Sequence, residues 1–337
     1  MSKRPRLFDL LTVREQAHAC SLFFFSIQES KMTSQKTDIH QDITDQIITL
    51  LERVDIDDYQ PPFASLATQG LPENPTTGNQ YQGVNILSLW FNQEVKNFTS
   101  NEWATFNQWK TAGANVRKGE KGSRIIFYKT LIHSDKNEHG KIEERKVPML
   151  RTYTVFNANQ VDNYNYTHGS LPSQIDKVRR IDLVDAFCKG TGADIRGNKN
   201  GAYYSTKKDC INMPPTASFL DTKYASATEN YYATLLHELT HWTGAQDRLN
   251  RDWDDIATNQ TTYAFEELIA ELGAAFLCAQ YGIAQTLAPD HAIYIKSWLK
   301  ALRNDKTHVF KAAAQAMKAT QYLNDLNVEA QSYETIL

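Results

Sequence analysis

The sequence predicts an α+β protein in two parts: a mixed α+β N-terminal domain over residues 32–165, a linker at 166–176, and a mainly helical domain with a small edge sheet over 177–337. Three observations lead there. Before residue 165, Arg124 to Leu131 and Val147 to Phe156 alternate in the manner of strands, behind one amphipathic helix. Beyond residue 177, helical periodicity dominates. Between the two, Asn163-Tyr-Asn-Tyr-Thr-His-Gly-Ser-Leu-Pro-Ser173 is polar and carries Gly and Pro, the composition of a linker.

Composition narrows the class. With 41% hydrophobic and 22% charged residues and a formal net charge of −3, the 337-residue chain has an ordinary globular balance and no strong basic excess. The apolar run Leu22-Phe-Phe-Phe-Ser-Ile27 is too short to span a bilayer, and no convincing cleavage site comes after it, so no membrane partner is expected. Cys20, Cys188, Cys210 and Cys278 lack Cys-x-x-Cys spacing, which argues against a disulfide framework and fits a reducing cytoplasm.

Residues 1–31 look unlike the rest of the chain and are expected to be a disordered upstream extension, because Met32-Thr-Ser-Gln-Lys-Thr-Asp reads as a polar protein start. An amphipathic helix comes next, from Ile39 to Val54, apolar at Ile43, Ile47, Ile48, Leu50 and Leu51. Between Trp103 and Lys129 the charge turns locally positive: Lys110, Arg117, Lys118, Lys121, Arg124 and Lys129 face Glu120. Trp103, Phe106, Trp109, Phe127 and Tyr128 interleave with these cations, and Gly113, Gly119 and Gly122 permit tight turns. Single-stranded nucleic acid suits this mixture, since cations track phosphates while aromatic faces stack on unpaired bases. Lys110, Arg117, Lys118, Lys121, Arg124, Trp103, Trp109 and Tyr128 are the candidate contacts. The residues fit a second reading as well: Trp103, Phe106 and Trp109 fall at helical spacing and suit a core, and a Lys/Gly-rich hairpin suits a solvated turn. The two strands of this region are joined by a charged loop from Asp135 to Lys146.

In the C-terminal part a helix over Asp182 to Lys189 precedes two short strands within Ala202 to Pro215, turned around Lys207 to Asp209. Ile211 to Met213 is a candidate edge for pairing with an extended peptide, or an ordinary sheet edge. Glu229 to Leu236 lacks Pro and Gly, and Leu235, Leu236 and Leu239 give it an apolar side, so His237-Glu-Leu-Thr-His241 lies on a helix. Gly244 is expected to end that helix in the left-handed conformation.

Positions i and i+4 share a helix face, so His237 and His241 suit one divalent metal, while Glu238 is left to take a proton from water that the metal acidifies. A catalytic zinc takes three protein ligands, so a third is required downstream. Tyr263 to Leu277 reads as a second helix, apolar at Phe265, Leu268, Ile269, Leu272, Ala275 and Phe276, with Glu267 and Glu271 one turn apart on one face. Glu266, Glu267 and Glu271 would otherwise pass as a solvated surface. Tyr263, Tyr203, Tyr204 and Arg248 are candidate oxyanion donors. Helices near Tyr294 to Leu302 and Val309 to Leu323 complete the domain.

His-Glu-x-x-His with Glu-x-x-x-Glu 26 residues later resembles the gluzincin class of zinc peptidases. The resemblance implies that Glu267 is the third ligand and Glu271 the carboxylate that accepts a ligand histidine's other ring proton, fixing its tautomer. This chain has Glu where that class more often has Asp, which leaves Glu271 as the alternative ligand.

Longer motifs narrow the resemblance. Leu71-Pro-x-Asn-x-x-Thr-Gly-x-x-Tyr-x-Gly-x-Asn85, Trp103-x-Thr-Phe-x-Gln108 and Gly113-Ala-x-Val-Arg-Lys-Gly-Glu-Lys-Gly122 are similar to the N-terminal domain of the ArdC antirestriction proteins of conjugative plasmids, which binds single-stranded DNA in that family. Tyr231-Tyr-Ala-Thr-Leu-Leu-His-Glu-Leu-Thr-His-Trp-Thr-Gly244, Arg248-Leu-Asn-Arg251 and Tyr263-Ala-x-Glu-Glu-Leu-x-Ala-Glu271 match its C-terminal half in the same order, so the resemblance covers nearly everything after Met32.

It implies a single-stranded-DNA-binding domain over 32–165 joined to a zincin-like metallopeptidase domain over 177–337, with Zn2+ or another divalent metal as cofactor. The implied partners are single-stranded DNA and a host restriction component or other protein substrate. The implied role is protection of DNA entering with a plasmid or mobile element. Two other readings stay open: an intracellular zinc peptidase whose N-terminal domain binds protein partners, and an accessory to priming on the transferred strand. The spacing supports holding a metal; cutting a peptide it only permits.

Overall fold

A computed structural model of the chain describes residues 38–53, 70–136, 142–166, 177–197, 201–284 and 292–334. The expected extension at 1–31 and, beyond Tyr166, the expected linker lie outside them. Helix α1 (Ile39–Glu52) starts at Asp38, whose carboxylate accepts from the His40 amide at 3.0 Å. It buries Ile43, Ile47 and Leu51. A two-residue hairpin, β1 (Glu73–Asn74) with β2 (Asn79–Gln80), leads into α2 (Val84–Val95).

The sheet of this half has the order β3-β6-β5, all antiparallel, from β3 (Trp103–Thr105), β5 (Ser123–Lys136) and β6 (Ile142–Asn157). The last two pair from Ser123↔Val155 to Lys136↔Ile142. Most of the expected charged loop from Asp135 to Lys146 is therefore strand. Ladder hydrogen bonds belong to the backbone, so a long ribbon can carry charged residues that a hydropathy reading takes for loop.

Trp103 and Trp109 do not share a helix. Thr105 and Gln108 form a reciprocal capping box that stops β3 and starts α3 (Phe106–Thr111). Strand β4 (Asn115–Val116) pairs with β7 (Val161–Asp162).

The other half opens with α4 (Lys177–Gly190) and a sheet in the order β8-β10-β9, from β8 (Ile195–Gly197), β9 (Tyr203–Ser205) and β10 (Cys210–Met213). Ile211 to Met213 is thus the central strand, parallel to β8 and antiparallel to β9, and is no docking edge: its ladder groups are engaged on both sides. The helices are α5 (Ala227–Trp242), α6 (Trp253–Thr258), α7 (Gln260–Tyr281), α8 (Ala292–Asn304) and α9 (His308–Glu334).

One apolar core takes side chains from both sides of the 166–176 segment. Ile43 and Ile47 of α1 and Ile86, Leu87 and Trp90 of α2 join Leu236 and Leu239 of α5, Leu272 and Phe276 of α7 and Trp298 of α8. The Trp90 and Phe276 rings lie 6.1 Å apart. Each large side chain so buried contributes about 1.5–3 kcal/mol.

Candidate metal centre

Helix α5 carries the histidines at its C-terminal end. Ser226 and Glu229 cap its start reciprocally, while Leu235, Leu236 and Leu239 bury one side and so direct His237, Glu238 and His241 toward α7. The two helices approach closely because residue 273 is glycine: a Cβ there would lie 2.6 Å from Thr240 Cγ2 and 2.7 Å from its Oγ1.

The convergence is tight. The Nε2 atoms of His237 and His241 are 3.1 Å apart, and the Glu267 carboxylate lies 3.5 Å from the first and 3.6 Å from the second. Oε2 makes the first of these approaches and Oε1 the second. Ligand bonds of 2.0–2.1 Å at tetrahedral angles separate neighbouring donors by about 3.3 Å, so the two imidazole nitrogens and the carboxylate stand at the spacing that a zinc-sized ion requires. Among the described residues, His237, His241 and Glu267 are the set able to hold a metal. Glu271 is fully buried on the far side of His237, its Oε2 4.0 Å from Nδ1. It therefore lies on the Nδ1 side of His237, away from the Nε2 that faces His241 and Glu267.

His241 is supported by Glu266, a residue for which helical spacing alone predicts no role. Glu266 Oε1 lies 3.0 Å from His241 Nδ1, and the buried Arg251 holds the same carboxylate through Nε (2.8 Å) and Nη2 (2.9 Å). Arg251 also donates to the Thr240 carbonyl at 2.6 Å and the Thr243 hydroxyl at 3.0 Å, so it closes the end of α5 as well. This corrects the reading of Gly244. The helix ends at Trp242 with Thr243 in a right-handed conformation, and Gly244 does not take a positive φ. Glycine is needed there for space, since a Cβ would stand 2.7 Å from Arg251 Nη2.

Burial pushes the His241 imidazole pKa down, but the carboxylates of Glu266, Glu267 and Glu238 outweigh it and hold the value at about 9. Proton and metal thus compete for one nitrogen.

A cleft of about 260 Å³ opens over His237, Glu238, His241 and Glu267 and is walled by Tyr203, Tyr204, Trp253, Tyr263 and Tyr294. Of the candidate oxyanion donors, Arg248 is committed elsewhere: it stacks 4.1 Å over Trp242, donates to the Trp242 carbonyl at 2.7 Å and pairs with Asp209. Tyr204 is tied into the same cluster by its 2.8 Å bond to Asp209. Tyr203 is half exposed at the cleft wall on β9, the strand that flanks the metal residues. Burial first, then Glu267 beside it, raise the Tyr263 phenol well above its ordinary range, so this residue of the cleft wall stays protonated.

The strand-binding candidates divide. Trp103 and Trp109 are wholly buried, Trp109 with its indole N–H donating to the Phe156 carbonyl at 2.9 Å. Neither presents a face to a base; both are core residues. Lys110, Lys118 and Lys121 are exposed. Arg117 staples its own turn, pairing with Glu120 at 2.9 Å, approaching Asp162 at 3.6 Å and donating to the Asn159 carbonyl. Arg124 reaches Asp42 at 3.2 Å. Tyr128 is exposed, with its hydroxyl 3.0 Å from His40 Nε2.

Fold and site together define a zincin-like protein whose metal residues come from two packed helices, with a second α+β region ahead of them. Residues 182–315 match the zincin-like metallopeptidase family, and residues 37–156 match the N-terminal domain of anti-restriction factor ArdC. The crystal structure of the ArdC antirestriction protein from plasmid R388, metal-free, superposes with a TM-score of 0.69 at 38% identity, over 87% of this chain and 98% of that one. Its Mn(II)-bound structure gives 0.66 at the same 38% identity, over 86% and 98%. The y4eC protein of Sinorhizobium fredii is 37% identical over 306 residues, 88% of this chain and 95% of its own length. The chain belongs to the ArdC antirestriction family. The DNA primase TraC of Escherichia coli is 31% identical over 307 residues, 87% of this chain but 27% of the primase. Among the described residues no helix is long and apolar enough to cross a membrane.

Proposed function

We propose that this protein binds single-stranded DNA arriving with a conjugative plasmid or mobile element, protects that DNA from host restriction in the cytoplasm, and carries a divalent metal, zinc by preference of its ligands, at His237, His241 and Glu267. The observation that carries the metal half is the convergence of the two Nε2 atoms, 3.1 Å apart, with the Glu267 carboxylate, whose oxygens come within 3.5 and 3.6 Å of them. The DNA half is supported by the match of residues 37–156 to the ArdC N-terminal domain and by the exposed cations Lys110, Lys118 and Lys121.

When bound, the metal supplies Lewis acidity to water and to a carbonyl in the cleft. Glu238, buried at the cleft wall beside both histidines, is the group placed to accept a proton there. Tyr263 offers an O–H toward the same space. An extended peptide of a restriction component or other protein would lie along β9. The similarity to TraC favours a second role, beside priming on the transferred strand, which draws on the same DNA binding.

The test is plasmid transfer into restricting and non-restricting hosts with wild type and Glu238→Ala. Wild type is expected to raise transfer into the restricting host alone. Loss of that gain in the variant assigns protection to hydrolysis; full protection by the variant makes the metal domain a binding or structural device. Equal transfer with and without the wild-type protein would remove the antirestriction reading.

A further inference from the structure

A groove of about 1060 Å³ lies between the β5–β6 ribbon, α3 and α9, remote in character from the metal cleft. Its walls carry Phe106, Phe127, Tyr128 and Tyr153, which are 52%, 55%, 56% and 41% exposed. The side-chain amides of Gln80, Gln82 and Asn107, all exposed, border the same space. None of the described residues lining it is Asp, Glu, Lys or Arg. Four exposed aromatic rings around one hollow cost solvation unless something covers them. The absence of ionic side chains from the lining selects an occupant that is itself neutral.

A flat neutral ring with donors and acceptors along its edge satisfies every wall: aromatic faces take its π surface and carboxamides take its edge, as Asn and Gln do with adenine. A base inside a duplex has both faces covered by its neighbours, so only an unpaired one presents them. The ribbon supplies a site for the attached phosphate as well. Arg151 is exposed and stands directly across from Phe127 in the antiparallel register, on the same face of the ribbon.

We propose that this groove receives the unpaired bases of single-stranded DNA, with Arg151 at its rim for the backbone. The proposal rests on the single-strand reading of the proposed function and places its base contacts away from the Lys118–Lys121 turn. Because Phe310 and Met317 of α9 line the groove, and α9 packs on α7, an occupant touches the half of the chain that holds Glu267.

The experiment uses the full chain and two probes, a twelve-residue oligothymidylate and an abasic oligonucleotide with the same number of phosphates. Wild type is expected to bind the first more tightly. Phe127→Ala with Tyr153→Ala should weaken oligothymidylate binding about 5- to 150-fold for each stacked base lost. It should leave abasic binding and the salt slope unchanged, while Phe127→Trp retains affinity. Lys118→Ala with Lys121→Ala should do the reverse, weakening both probes and flattening the slope. Mapping photo-crosslinks from a 5-iodouracil oligonucleotide on wild type to Phe127, Tyr128 or Tyr153 supports the site without any substitution. The groove is excluded if its variant binds oligothymidylate like wild type, or loses both probes equally. Wild type binding neither probe removes the single-strand reading and the groove together; wild type binding with an indifferent groove variant removes the groove alone.

Discussion

Replacing Glu266 by Gln tests whether the Arg251–Glu266–His241 chain sets the metal affinity. The wild-type carboxylate accepts from Arg251 Nε at 2.8 Å and Nη2 at 2.9 Å and faces His241 Nδ1 at 3.0 Å, all three residues being buried. The amide keeps the volume and one acceptor but leaves the guanidinium without its counter-charge. Removing one member of a buried pair costs about 3–5 kcal/mol, and the retained acceptor puts the expected loss near the lower figure. The same change leaves the imidazole without an anionic acceptor, which typically weakens metal affinity about 10- to 100-fold, or about 1.4–2.7 kcal/mol.

Competition against a chromophoric chelator reads the affinity, and melting of the apo protein reads the stability. A control separates them: Arg251→Met with Glu266→Leu replaces the pair by apolar groups of similar size, which is expected to restore stability but not affinity. Wild-type metal affinity in Glu266→Gln, or restoration of both quantities by the apolar pair, would show that the Arg251–Glu266–His241 chain does not set the affinity.

Gly273→Ala is expected to cost about 1–3 kcal/mol in denaturant unfolding by overpacking Thr240, and adding Thr240→Ala to recover most of it; no recovery would mean that the α5–α7 contact does not require the glycine. Apo stability should fall between pH 6.5 and about 9, because His241 has a folded value of about 9 above its ordinary 6.5, so its contribution is complete below 6.5 and lost as the proton leaves the folded protein. Metal must displace that proton, so the rise in melting temperature on adding Zn2+ should grow across the same window; a flat increment would contradict it. Lys118→Ala with Lys121→Ala should lower the slope of log affinity against log salt by roughly 1.4 for single strands, and an unchanged slope would clear both lysines of phosphate contact. Arg117 is left out of that variant because its guanidinium holds the turn together.

The legible parts of the site were those written in local periodicity. His237 and His241 follow from helical spacing, the demand for a third ligand points to the helix of Glu267 and Glu271, and the family resemblance singles out Glu267; the structure brings donor atoms of His237, His241 and Glu267 together. Glu266 was not legible in that way, because helical phase alone put it among solvated acids. What buries it is the segment from Ala245 to Arg251 folding back over α5, a long-range event. Arg251 stood at the end of Arg248-Leu-Asn-Arg251 without a role. Trp103 and Trp109 show the opposite failure: aromatic residues among cations suit a core and a stacking platform equally, and only tertiary contacts decide. A local signal did exist in Thr105-Phe-Asn-Gln108, a capping-box pattern that starts a helix at Phe106 and so breaks the spacing on which the two tryptophans were compared. The central position of Ile211 to Met213 depends on β8 arriving beside it, which no pattern within Ala202 to Pro215 announces.

The packing of Trp90 against Phe276 bears on how the molecule can be divided. A fragment ending at residue 165 would keep α1 and α2 but lose the helices that cover Ile47, Leu87 and Trp90, leaving a greasy face free to self-associate. The complementary fragment would lose the same cover from the other side. Expressed separately, the halves are candidates for inclusion bodies, whereas co-expression would let each act as the other's chaperone.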